Sequence, residues 1–181
     1  MMKFAYIINL PGYTPDTYCG EYATEESITR IVGTDNMEMA VEHAAKLAEE
    51  GFNLFNLCGD FDDEVTARIS QAVGEGIKVR NAAYSPTELK KVEALEEFTR
   101  YGVIAVDPVV EKPAVLEVSS DDLYTKMWIV KDLDQAKVAA GKLSEEEMHD
   151  IELCSWFTEE RTAPIIEAVN SDKIPVGSCG L

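Results

Sequence analysis

Residues 39–73 return, shifted by 96 positions, as residues 135–169. Fifteen of the 35 aligned positions are identical, where residue frequencies alone would match roughly two or three. The shared residues include Ala40, Ala44, Leu47, Leu57, Cys58, Phe61, Thr66, Ile69 and Val73, each with its partner. One inserted residue later, Ile77 and Val79 meet Ile174 and Val176. The period is far longer than that of a solenoid repeat. It describes one folding unit written twice. Both copies must then fold on one plan, and two such copies in one chain read as a fused pseudo-dimer.

The pattern within each copy is strand alternating with helix. Lys3 to Leu10 reads as a buried strand, followed by the loop Pro11-Gly12-Tyr13-Thr14-Pro15-Asp16. Ile28 to Gly33 reads as a strand. A helix follows, with Asp35 as its cap, Glu38 three residues on, and apolar residues at helical spacing up to Gly51. Phe52 to Cys58 is the next strand, roughly Asp62 to Val73 the next helix, and Ile77 to Ala83 another strand. Ser85-Pro86-Thr87-Glu88 starts a helix that runs to about Phe98 and closes the first unit. The second copy repeats the order from Tyr101. Its strands are Tyr101–Asp107, Ala114–Val118, Tyr124–Val130, Asp150–Cys154 and Ile174–Cys179. A helix starts at Asp132, and another starts near Arg161 or Thr162, which keeps Pro164 in a first turn. Thr17–Tyr22 is the weaker equivalent of Ala114–Val118. The fold class is therefore α/β, with homologous β-α-β-α-β type units over residues 1–100 and 101–181, packed as a pseudo-dimer. The alternative is a ferredoxin-like α+β duplication.

The formal charge is −18. Such a polyanion repels nucleic-acid phosphates and anionic membrane surfaces, so neither is an expected partner. No apolar run reaches the length of a membrane span. The amino-terminal apolar run is too short for a signal peptide and reads as the first strand. The cysteines Cys19, Cys58, Cys154 and Cys179 form no Cys-x-x-Cys pair, so reduced thiols in the cytoplasm are the expectation.

The succession of elements, with Pro11-Gly12-Tyr13, Ile31-Val32-Gly33, Leu57-Cys58-Gly59 and Ile174-Pro175-Val176-Gly177, resembles DUF6506, a family of small bacterial proteins of unknown function. The first copy carries the likeness well and the second more loosely. In the second, Ser155-Trp156 replaces Gly59-Asp60 and no Pro-Gly follows Asp107. The resemblance implies no reaction and transfers no catalytic residue.

Ligands of open α/β sheets bind at the carboxyl ends of strands. In the first unit those ends carry Asn9, Cys58, Gly59, Asp60, Arg80 and Asn81, which are the candidate ligand-binding residues. Cys58 precedes a helix start, where a thiol is acidified, but Asp60, Asp62, Asp63 and Glu64 oppose a thiolate. Its recurrence as Cys154 fits packing. Those four acids could hold Mg²⁺ or Ca²⁺ through oxygen ligands, but they do not make an EF-hand, because Val65 and Gln71 stand where Gly and Glu are needed, and no metal site is named. Acids also simply suit a helix's first turn. Arg80 could meet an anion or pair with a neighbouring acid. His43 and His149 do not coincide in the repeat and sit in no catalytic pattern. No Gly-x-Gly-x-x-Gly, Walker loop or Gly-x-Ser-x-Gly occurs, so no cofactor is named. The expectation is a small-molecule-binding or assembly module without evident catalytic machinery, with a homo-oligomer as a candidate partner state. The alternative is a small-molecule enzyme with its site at the strand carboxyl ends of the first unit.

Overall fold

The computed structural model describes residues 1–181. The chain divides into compact units Met1–Asn81 and Ala82–Leu181. The first holds β1 (Met2–Asn9), β2 (Cys19–Ala23), β3 (Ser27–Thr34), α1 (Met37–Glu49), β4 (Leu54–Leu57), α2 (Asp63–Val73) and β5 (Lys78–Asn81). The second opens with α3 (Pro86–Glu93). It then repeats the order as β6 (Arg100–Val106), β7 (Ala114–Ser119), β8 (Tyr124–Val130), α4 (Leu133–Glu145), β9 (Asp150–Leu153), α5 (Glu159–Val169) and β10 (Val176–Ser178).

Each unit builds a five-stranded sheet on one plan. The orders are β2-β3-β1-β4-β5 and β7-β8-β6-β9-β10. Four strands run parallel, and the edge strand β2 or β7 is antiparallel. The central strand is continuous apolar sequence, as a parallel strand covered on both faces requires: Phe4 to Ile8 in β1 and Tyr101 to Ala105 in β6 are buried. The element order within a unit, β-β-β-α-β-α-β, is not the β-α-β-β-α-β order of a ferredoxin-like fold, so the α/β reading holds and that alternative fails. The hairpin strand that was weak in the first copy is present in both.

The repeat extends into contacts whose cations differ between the copies. Arg30 joins Glu21 at 2.6 Å and Glu50 at 2.8 Å. At the shifted positions, Lys126 joins Glu117 at 3.7 Å and Glu146 at 2.8 Å. In both units a cation ties the edge hairpin to the end of the first helix. Lys3 Nζ also donates to the Glu50 carbonyl at 2.6 Å, and Arg100 Nη2 donates to the Glu146 carbonyl at 3.0 Å. Each cation thereby meets the negative end of a helix.

Two local expectations change. The cap of α1 is Asn36, whose side chain accepts the Met39 N–H at 2.9 Å. Asp35 is committed elsewhere: its Oδ1 accepts the Gly12 N–H at 2.6 Å. Helix α5 starts at Glu159, ahead of Arg161, so Pro164 lies inside it rather than in its first turn. Helix α3, which follows the first copy in sequence, packs within the compact unit Ala82–Leu181. There Ala83 and Ser178 exchange backbone hydrogen bonds of 3.0 and 2.8 Å. Glu88, buried on α3, accepts the Val176 N–H at 2.8 Å, and Lys91 ties Glu88 to the Ser171 carbonyl. A single antiparallel bridge and one turn of side-chain bonds dock the segment on the free edge of β10. No helix is long and apolar enough to cross a membrane.

Candidate functional site

At the strand ends of the first unit, the Cys58 N–H donates to the Ile7 carbonyl at 3.0 Å. The Cys58 thiol accepts the Asn9 N–H at 3.4 Å. The Phe61 N–H closes the turn on the Cys58 carbonyl at 3.1 Å, and Asn81 Nδ2 donates to the Phe61 carbonyl at 2.9 Å. Asn9, Cys58 and Asn81 therefore gather round one turn. Gly59 and Asp60 form its exposed tip. Arg80 does not join them. It precedes Asn81 on β5, so the pleat points it to the opposite face, where it is exposed. The first-turn donors of α2 are partly taken, since Asp62 Oδ1 accepts the Val65 N–H at 2.8 Å. With Asp63 and Glu64 also in that turn, the rim repels anions.

The second copy explains the repeated cysteine. Cys154 Sγ accepts the Val106 N–H at 3.3 Å, and its own N–H reaches the Ile104 carbonyl at 3.0 Å. In both units the thiol caps the backbone of the neighbouring parallel strand. Burial pushes the Cys154 thiol up, the wrong direction for a nucleophile. Where the first unit has Asp60, Trp156 lies under the Arg161 guanidinium at 4.1 Å, and Arg161 donates to the Trp156 carbonyl at 2.9 Å. No group of three or more His, Cys, Asp or Glu side chains stands together to hold a metal ion.

A cavity of about 790 Å³ opens at the other end of the second sheet, where its strands begin. Its lining includes the carboxyl-terminal caps of α3 and α5, Ala94 and Asn170, and Glu147 just past α4. Leu95, Met148 and Ile174 supply apolar surface. His149 stands in the wall, with Nδ1 accepting the Thr99 N–H at 3.2 Å and Nε2 3.5 Å from Glu97. The other histidine, His43, lies on α1, where burial lowers its pKa.

Sequence reasoning passed over a third arrangement. On β9, Asp150 and Glu152 are two residues apart and so share a face of the sheet. They are only 5% and 2% exposed. A Cβ on Gly102 would meet Leu143 of α4 at 3.1 Å, so the face carrying Tyr101 and Glu152 is the one turned away from α4. The Tyr84 hydroxyl lies 2.6 Å from both Asp150 Oδ2 and Glu152 Oε1. The Tyr101 hydroxyl donates to Glu152 Oε2. Burial, then the charge of Glu152, pushes the Tyr84 hydroxyl pKa well up, so it stays protonated. At the equivalent register the first unit has Phe4, Leu54 and Asn56. Two acids on one face of a strand otherwise read as buried were the available signal.

Comparison with curated proteins returns no match. Among solved structures, unliganded arylmalonate decarboxylase aligns at 14% identity, covering 99% of this chain and 88% of that one, with a TM-score of 0.34. A carbohydrate transporter from Acidothermus cellulolyticus 11B, in complex with myo-inositol, aligns at 12% identity over 98% of this chain and 73% of that one, TM-score 0.35. An NtrC family transcriptional regulator from Clostridium acetobutylicum aligns at 10% identity over 98% and 87%, TM-score 0.32. Likenesses this distant transfer no residue and no ligand. The family comparison is specific: residues 2–97 and residues 99–180 each match one domain, so the chain belongs to the DUF6506 family of unknown function and carries it as a tandem pair.

Proposed function

We propose that this chain is a small-molecule-binding module rather than a catalyst, and that the ligand seats in the cavity at the amino ends of the second unit's strands. The observation supporting this is the cavity itself: about 790 Å³ falls within the roughly 300–1,000 Å³ of ligand sites. Its chemistry favours an amphipathic amine. Glu96, Glu97, Glu147 and Asp172 line it against Lys91 and Lys173, and Lys91 is already held by Glu88 and the Ser171 carbonyl. Helix carboxyl ends add partial negative charge. Leu95, Met148 and Ile174 would take the carbon chain. His149 is engaged by a backbone amide, which supports a wall role over a general-base role. Four cysteines in no disulfide accord with a reducing cytoplasm, and a charge of −18 disfavours nucleic acid.

The test is a thermal-shift panel of alkyl amines, diamines, amino acids, sugars and divalent metals. At a hundred times Kd a ligand adds about 2.7 kcal/mol, which raises Tm by about 5–10 °C for a chain of this size. Glu147→Lys and Leu95→Asp should each abolish the shift given by an amine. The second reading is an enzyme at the first unit's strand ends, supported by the gathering of Asn9, Cys58 and Asn81. It predicts instead a shift abolished by Asp60→Ala or Cys58→Ala. A flat panel together with a stable higher oligomer would reject both and favour assembly.

A further inference from the structure

The Tyr84 hydroxyl has one hydrogen and two carboxyl neighbours, each at 2.6 Å. Oxygens this close need a hydrogen between them. Tyrosine donates once, and an ionised carboxylate can only accept. Two contacts therefore require two hydrogens, and the second must sit on a carboxyl. Glu152 also accepts from Tyr101, which favours its ionised form. Asp150 is then the protonated member, donating to the Tyr84 oxygen while Tyr84 donates to Glu152.

We propose that Asp150 holds a proton at neutral pH, that this proton completes an Asp150–Tyr84–Glu152 chain, and that its loss on raising the pH releases the segment carrying Tyr84 and α3 from the second sheet. The segment is a pH-sensitive latch. Its remaining anchors are few: the Ala83–Ser178 bridge, Glu88 on the Val176 N–H, and Lys91 on the Ser171 and Ile174 carbonyls. The groups facing the shared proton are Asp150 and Glu152 from β9, Tyr101 from β6 and Tyr84 from the docked segment. Next along are Thr125 of β8, beside Tyr101 in register, and the Glu88–Lys91 pair of α3. Strand β10 contributes Gly177, which carries no charge and leaves room for the Tyr84 ring. When the proton leaves, two buried anions compete for one hydroxyl hydrogen, and the like charges repel.

The sign is definite. The docked state binds one more proton than the open state, so docking is favoured at low pH and weakens as pH rises. Opening that releases this proton becomes about tenfold more frequent per pH unit until the docked pair itself ionises. Two measurements test it. Infrared spectroscopy of the wild type at neutral pH should show the C=O band of a protonated carboxyl, absent in Asp150→Asn. Hydrogen exchange at the Ala83 and Ser178 amides should accelerate with pH beyond the intrinsic base catalysis, and Asp150→Asn should remove the excess slope. A wild type without the carboxyl band overturns the proposal, with no variant needed. So does an excess slope unchanged in Asp150→Asn, or a wild-type slope equal to the intrinsic one.

Discussion

Gly177→Ala is the most decisive single change in this chain. An added Cβ would stand 2.7 Å from Cε1 and Cζ of Tyr84 and 3.1 Å from Cε2. Gly177 has an ordinary strand backbone, and the nearest atoms the new Cβ would meet are all in the ring. The ring must retreat by about 0.8–1.3 Å to reach ordinary carbon contact of about 3.5–4 Å. Its hydroxyl is held 2.6 Å from Asp150 and from Glu152, and a shift of that size stretches both bonds past about 3.2 Å, the usual limit. Keeping the bonds leaves overpacking of about 1–3 kcal/mol. Breaking them loses about 1.5–3 kcal/mol for the bond to ionised Glu152 and about 0.5–1.5 kcal/mol for the bond to Asp150. The protein takes the cheaper mixture, about 2–4 kcal/mol. At about 2–4 °C per kcal/mol for a chain of this size, Tm falls by about 5–15 °C. Urea and thermal unfolding measure it. The same change in a Tyr84→Ala background should cost less than about 1 kcal/mol, because the obstacle is gone. A Gly177→Ala protein within about 0.5 kcal/mol of wild type, or an equal loss with and without Tyr84, would refute the reasoning.

Further outcomes follow from other contacts. Gly141→Ala in α4 should stabilise by about 0.5–1 kcal/mol, since helix propensity improves and the new Cβ meets only the Ala168 carbonyl at 3.9 Å; denaturant midpoints check it. Pro164→Ala should stabilise by about 1–3 kcal/mol by restoring the N–H to the Glu160 carbonyl inside α5, visible as a raised Tm. Of the four thiols, only Cys19 is exposed and should alkylate in the folded protein. Burial pushes its pKa up, so its rate should run below that of a free thiol at neutral pH and rise about tenfold per pH unit, read by mass spectrometry.

Much of the scaffold was legible because it depends on local periodicity. The 96-residue repeat announced two copies, and the copies share strand order, register and even the Arg30 and Lys126 ion pairs. Errors cluster where a competing partner decides. Asp35 looked like the better cap until Gly12 claimed it. Pro164 was expected to stay out of a helix interior, but Phe157, Thr162 and Ile165, all buried, hold the helix start ahead of it. Among the six candidate residues, the turn at Cys58 draws in Asn9 and Asn81, while Arg80 turns away because one step along a strand changes face.

The sequence by itself determined the α/β class, the duplication and the strongly negative charge. These follow from composition and from spacings of a few residues, and each copy restates them. Only the tertiary structure decided which compact unit takes the segment after Asn81, because that choice rests on bonds to residues about ninety positions away, such as Glu88 to Val176. It alone brought Tyr84 and Tyr101 onto Asp150 and Glu152, whose separations along the chain run from 51 to 68 residues where hydrogen bonds join them. It alone shaped a cavity from the ends of α3, α4 and α5. Chemistry that depends on such convergence leaves little trace in a single segment, here only two acids on one face of buried β9, because the tyrosines that complete it come from distant parts of the chain.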